Sequence, residues 1–236
     1  TFITNIIFMI LNNSTFLIQW IILFNIKENI GGYSFKEVCL LWAITASTYG
    51  VAHVTCHKAF KLSDLIINGK LDSFLVQPKN VLISAITSET AIAAIGDFLY
   101  GYIVLFACAP DIKTICLFTF FTITGAIIIT TFSIIVGSLA FWIVRADMLA
   151  ESLNSAMIHL GTYPDTIFKN VTKIILYTII PVGLANHLPI HIIKDFNIAS
   201  FFILIAVCIV MILLSNIIFK SGLKRYSSSN LMSARN

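Results

Sequence analysis

Charge is what this sequence most lacks: Asp, Glu, Lys and Arg make up 11% of 236 residues. A soluble domain carries about 25%, so this chain has too little charge to be solvated on all sides. Basic runs interleaved with aromatics are missing too, and nothing points to nucleic acid. No Gly-x-x-x-x-Gly-Lys-Ser/Thr loop is present, which excludes ATP hydrolysis by that route. A Gly-x-Ser-x-Gly elbow and a His-Glu-x-x-His pair are likewise missing. The five cysteines, Cys39, Cys56, Cys108, Cys116 and Cys208, show no metal-ligand spacing and read as small buried hydrophobes. Cys108 and Cys116 flank a short loop and are free to pair if it faces an oxidising side. The chain opens at Thr1 without a basic leader, so the expectation is a start partway into a longer protein.

What is there is apolar. Hydrophobic residues make up 58% and mean hydropathy is +0.94. Inside hydrocarbon the backbone must satisfy itself, leaving helices or a closed barrel. Runs of about 20 apolar residues without alternation choose helices. The expected fold is an all-α membrane protein with about six transmembrane helices in one domain over 1–236. The spans fall near 2–26, 38–57, 81–108, 114–144, 147–163 and 198–219. Pro164, Pro181 and Pro189 interrupt residues 164–195, which read as a broken, partly re-entrant hairpin.

The basic residues divide by side. Lys58, Lys61, Lys70, Lys79, Arg145, Lys220, Lys224, Arg225 and Arg235 fall on one, and Lys27, Lys36, Lys113, Lys169, Lys173 and Lys194 on the other. The positive-inside rule puts the first set and the C-terminus in the cytoplasm, and the 164–195 hairpin outside.

Between the second and third spans, Phe60, Leu62, Leu65, Ile66, Leu71, Phe74 and Leu75 recur at helical spacing. This predicts an amphipathic helix over 59–77, broken at Gly69. Such a helix either rests on membrane lipid or docks on a cytoplasmic partner. Glu89 and Asp97 sit two turns apart, about 12 Å of rise, on nearly one face of the third span. They are candidates for a translocation path or subunit interface, the alternative being a packing role. His53, Cys56 and His57 share a helical face but sit where histidine is comfortable without metal, and no metal is assigned. Ser133 and Gly137 suit close helix contact.

Several stretches resemble one family. Asn68-Gly69-Lys70-Leu71-Asp72-Ser73-Phe74-Leu75-Val76-Gln77-Pro78 is similar to a motif that follows the second span in an ABC-2 permease family. Gly31-Gly32-Tyr33-Ser34-Phe35-Lys36-Glu37 resembles that family's first outer turn, and Phe141-Trp142-Ile143-Val144-Arg145-Ala146 a later stretch. Tyr163-Pro164, Ile180-Pro181-Val182-Gly183-Leu184-Ala185-Asn186 and Leu188-Pro189 resemble its outer hairpin, and Gly222-Leu223-Lys224-Arg225-Tyr226-Ser227-Ser228 its C-terminus. Asn68 and Gln77 depart from residues usually basic there.

The resemblance implies a multi-pass exporter permease in the cell membrane, moving an amphipathic or hydrophobic cargo outward. It implies a second permease subunit, identical or related, and two ATP-binding cassette subunits. No cofactor is expected on this chain; ATP and Mg belong to the partner ATPase, so the chain itself is not expected to be an enzyme. Phe60, Leu62, Asp64, Leu65, Ile66, Gly69, Lys70, Leu71, Asp72 and Phe74 would then couple to the ATPase. The alternatives are an intramembrane enzyme, or a membrane-embedded binding or immunity protein that transports nothing.

Overall fold

The computed structural model describes residues 2–226. Thr1, Ser227, Ser228 and Arg235 lie outside the described residues. Among the latter the chain is helical throughout, with no named strand. Its α-helices are α1 (Phe2–Ile26), α2 (Phe35–Cys56), α3 (Leu62–Ile67), α4 (Asp72–Leu75), α5 (Val81–Ile86) and α6 (Ala94–Cys108). They continue with α7 (Ile112–Ser138), α8 (Ala146–Gly161), α9 (Asn170–Thr178), α10 (Leu188–Lys194) and α11 (Ile198–Leu223). The end of the molecule holding residues 57–80 is called the near end, and the opposite one the far end.

Helix starts follow the polar residues between apolar runs. Ser34 caps α2 through a reciprocal box with Glu37: Ser34 Oγ accepts from Glu37 N–H at 3.4 Å, and Glu37 Oε2 from Ser34 N–H at 2.7 Å. Asp111 caps α7, Asn80 caps α5 and Asn197 caps α11, each satisfying amide hydrogens with no intrahelical acceptor.

Four helical stretches are long and apolar enough to cross a bilayer: Phe2–Ile26, Phe35–Ile67, Ile112–Phe141 and Ile198–Leu223. A fifth crossing follows if the pair Asn170–Thr178 and Gly183–Lys194, bent by 80°, is one span. The expected count of about six is not confirmed: among the described residues four helices, or five with the bent pair, meet the length and hydropathy of a crossing. The expected third span splits into α5 and α6 around residues 87–93, where Thr87, Ser88, Glu89 and Thr90 supply no apolar surface to hold a helix in hydrocarbon. The expected fifth is α8, with 16 residues and acids in its first two turns, about 24 Å long.

The stretches α2 and α7 form the centre: 78% and 61% of their most apolar parts are buried, against 11% for α1 and 17% for α11. A glycine seam joins α2 to α6. A Cβ on Gly50 would lie 2.5 Å from the Phe98 amide nitrogen, and one on Gly101 would collide with Ser47 and the Ala43 carbonyl. Gly96 does the same for α1, where an added Cβ would lie 2.6 Å from the Ile6 carbonyl oxygen. Small residues let backbones approach where no hydrophobic effect drives helices together. Gly137 performs this service against Leu62, where a Cβ would lie 2.9 Å from the leucine Cβ.

The proline-interrupted region folds as expected from its breaks. After α9 the chain turns at Pro181 and forms a π-helical turn, Gly183–His187, before α10. That turn reaches the middle of α7: a Cβ on Gly125 would lie 3.0 Å from the Ala185 carbonyl oxygen. Asn186 and His187 on it are fully buried. Irregular backbone at this level is tolerated because protein surrounds it.

Candidate functional site

Three parts of the molecule carry polar chemistry: a central cavity, the near-end segment, and a buried knot at the far end.

The cavity has a volume of about 500 Å³ and lies between α1, α2, the start of α6 and the end of α8. Phe16, Trp20, Trp42, Tyr49 and Tyr163 supply aromatic walls, with Phe16 and Trp42 centroids 4.9 Å apart and Trp20 and Tyr163 5.9 Å apart. Asn12, Asn13, Gln19, Thr45, His53, His57, His159 and Asp97 provide most of its polar groups. No Lys or Arg lines it, and Asp97 is its one carboxylate.

Asp97 is half-buried, and its Oδ1 accepts a 2.6 Å hydrogen bond from Asn13 Nδ2 of α1. Among the described residues it makes no ion pair. Asn13 and Trp20 are the buried residues of α1, so this bond fastens an otherwise peripheral helix. Asn13 lies midway along α1, so this bond sets Asp97 against the middle of that helix.

Glu89 does not share a helical face with Asp97, because it lies in that break. It pairs with Lys58, and His57 Nε2 lies 3.6 Å from its Oε1. Both partners belong to the short 3₁₀ helix His57–Lys61 that follows α2. The two acids are thus divided, Asp97 at the cavity wall and Glu89 in the break, paired with the 3₁₀ turn after α2. His53 and His57 share a 2.9 Å contact between their Nδ1 atoms, and Phe60 stacks on His53 with centroids 3.9 Å apart. Among the described residues no group of three His, Cys, Asp or Glu side chains converges as a metal site.

The near-end segment is not one amphipathic helix. Its first half, through α3, continues the α2 stretch; the chain then reverses at Gly69, whose φ of +67° suits glycine. The apolar positions expected to face a partner turn inward instead. Leu62, Leu65, Ile66 and Leu71 are buried in a cluster with Leu82, Ile134 and Phe219, and Phe60 and Phe74 pack against it half-buried. Asp64 pairs with Lys70 at 2.9 Å and also accepts from Asn68, while Asp72 accepts a 2.9 Å bond from Tyr226 Oη. What the segment presents outward is Lys61, Ile67, Asn68, Lys70, Ser73, Leu75, Val76 and Gln77. Val76 is 85% exposed.

At the far end, Asp165 has a side chain only 1% exposed. Tyr33 Oη donates to its Oδ1 at 2.8 Å and Tyr177 Oη to its Oδ2 at 3.0 Å. Lys173 Nζ lies 3.1 Å from Oδ2, and His191 Nε2 3.3 Å from both oxygens. Burial alone would raise this carboxyl, but bonds from His191 and Tyr33, with Lys173, hold it below the ordinary carboxylate range. Burial and the carboxylate push the Tyr33 phenol upward. Thr166 also donates to the Gly31 carbonyl, and Lys194 pairs with Glu37 at 2.8 Å. The hairpin is thereby tied to the turn between α1 and α2. Sequence reasoning passed over Asp165; its signal is that it is the lone acid between Glu151 and Asp195.

One flank of α8 completes the picture. Asp147, Glu151, Ser155 and His159 recur every four residues and are all exposed, forming a polar stripe that ends at the cavity.

Several helices long and apolar enough to cross a bilayer, a bent helix pair and an aromatic-walled internal cavity define a multi-pass membrane protein. A family model described as "ABC-2 family transporter protein" matches residues 10–230, and the chain belongs to that family. It is a transmembrane permease subunit of an ABC transporter. Comparison with curated proteins and with solved structures yields no match.

Proposed function

We propose that this chain is the membrane half of an ABC-2 exporter that moves an amphipathic or hydrophobic cargo outward. Power comes from two separate ATP-binding cassette subunits carrying ATP and Mg, and the chain itself catalyses no reaction. The near end faces the cytoplasm of the cell, consistent with its excess of Lys and Arg. A second permease, identical or related, completes the membrane part of the assembly.

One observation carries the reading: the near-end segment is joined to the cavity. His57 and Lys58 hold Glu89 in the break beside the cavity-lining Ala91, and Phe60 stacks on the cavity-lining His53. Because Leu62 packs on Gly137 of α7, a push on the segment also reaches α7. An ATPase gripping the outward residues Ile67, Leu75 and Val76 would shift the cavity floor with each cycle. Leu62, Leu65, Ile66 and Leu71 then transmit that push rather than touch the ATPase.

The test replaces Leu75 and Val76 together by Asp in the permease co-expressed with its ATPase. Both are exposed, so folding is spared; co-purification of the ATPase and cargo export into inverted vesicles should both fall at least about tenfold. Undiminished ATPase recruitment and transport would defeat the reading.

A further inference from the structure

The cavity has a charge bias that its size and aromatic lining turn into a specificity. It holds one carboxylate, Asp97, and no Lys or Arg. Asn13 occupies Oδ1, and no cationic side chain among the described residues neutralises the group. A carboxylate facing a largely apolar cavity is stabilised by a nearby positive charge, and among the described residues no Lys or Arg of the lining supplies one. The same cavity is lined by Phe16, Trp20, Trp42, Tyr49 and Tyr163, whose ring faces attract cations.

A second, independent feature points the same way. The α8 stripe leading to the cavity begins with two acids, Asp147 and Glu151, and continues through Ser155 to His159 at the cavity wall. Arg145 stands at the helix start, just ahead of the stripe. An approaching anion would meet carboxylates along the stripe and again at the cavity. An approaching cation would be drawn inward.

We propose that the cavity binds an organic cation: a small amphiphile with an aromatic or alkyl body and one delocalised or quaternary positive centre, held by Asp97 and the surrounding rings. This rests on the reading that the cavity belongs to the cargo path, and it narrows the cargo to one charge class.

The test uses two probes of the same shape and opposite charge, tetraphenylphosphonium and tetraphenylborate. Binding to the full chain in nanodiscs is read by quenching of tryptophan fluorescence, since Trp20 and Trp42 line the cavity, and corrected against empty nanodiscs. Tetraphenylphosphonium should bind at least about tenfold more tightly than tetraphenylborate, a range set by cation–π and ion-pair contacts. Asp97→Asn, which keeps a partner for Asn13, should remove at least about tenfold of that affinity, and Asp97→Glu should retain it. Equal binding of both probes by the unaltered chain overturns the proposal whether or not Asp97→Asn folds. Unchanged tetraphenylphosphonium binding in Asp97→Asn overturns it too. No ATPase enters this measurement, so loss of the power-stroke reading would leave it standing, and its own failure would leave ATPase coupling intact.

Discussion

The two ends of this permease are fastened by opposite kinds of chemistry. At the far end, directional bonds converge on one buried carboxylate: two phenols, an ammonium and an imidazole surround Asp165. At the near end, the segment is seated by leucine and isoleucine side chains, and its ion pairs lie at the surface. Bonds to a buried charge have one satisfactory geometry, whereas apolar contacts can slide by a rotamer at modest cost. A latch suits the first and a lever the second. The difference teaches that the end expected to move is also the end whose packing is non-directional.

Four experiments on detergent-solubilised protein would break or sharpen this contrast. The largest effect is expected from Asp165→Ala, which strands both tyrosine hydroxyls and Lys173; thermal unfolding should show a loss of about 3–5 kcal/mol. Leu71→Ala should cost about 2–4 kcal/mol through the cavity it leaves, with the far-end bonds unaffected.

Acid should separate the two ends. The Asp165 carboxyl is held below its ordinary value in the fold, so its contribution is present at neutral pH. It should drain away as pH falls below about 4, where the unfolded chain takes up the proton first. The gap in melting temperature between the unaltered chain and Asp165→Asn should therefore shrink with acid, while the gap to Leu71→Ala stays constant. A gap to Asp165→Asn that is flat in pH would mean the knot is not held by charge. The smallest effect belongs to Lys70→Ala, whose pair with Asp64 is exposed; under about 0.5 kcal/mol is expected.

How much of this could be read from the residues follows from what each signal depends on. Apolar runs marked α1, α2, α7 and α11, because a crossing needs only length and hydropathy. Prolines marked the bent hairpin, since their effect on a helix is local. The break at 87–93 was hidden: no Pro or Gly stands there, and 81–108 read as one span carrying Glu89 and Asp97. That single miss paired Glu89 with Asp97 on a face they do not share. The near-end leucines were found at the right spacing but assigned to the wrong side. Periodicity says that one face is apolar, and only tertiary packing says what covers it. Asp165, Tyr33, Tyr177, Lys173 and His191 are brought together from three separate stretches, and no local pattern joins them. The bond from Asn13 to Asp97 spans 84 residues of sequence, so no local pattern announces it.

The fastening of α1 has one further consequence. This 25-residue helix meets its neighbours through several ring and aliphatic contacts, among them Phe16 on Trp42, together with the Asn13 amide, Trp20 and a close approach at Gly96; Asn13 and Trp20 also wall the cavity. Whatever competes for the Asp97 oxygen loosens the bolt on that wall from inside. Occupancy and sideways opening toward the bilayer would then be a single event, with the guest itself turning the key.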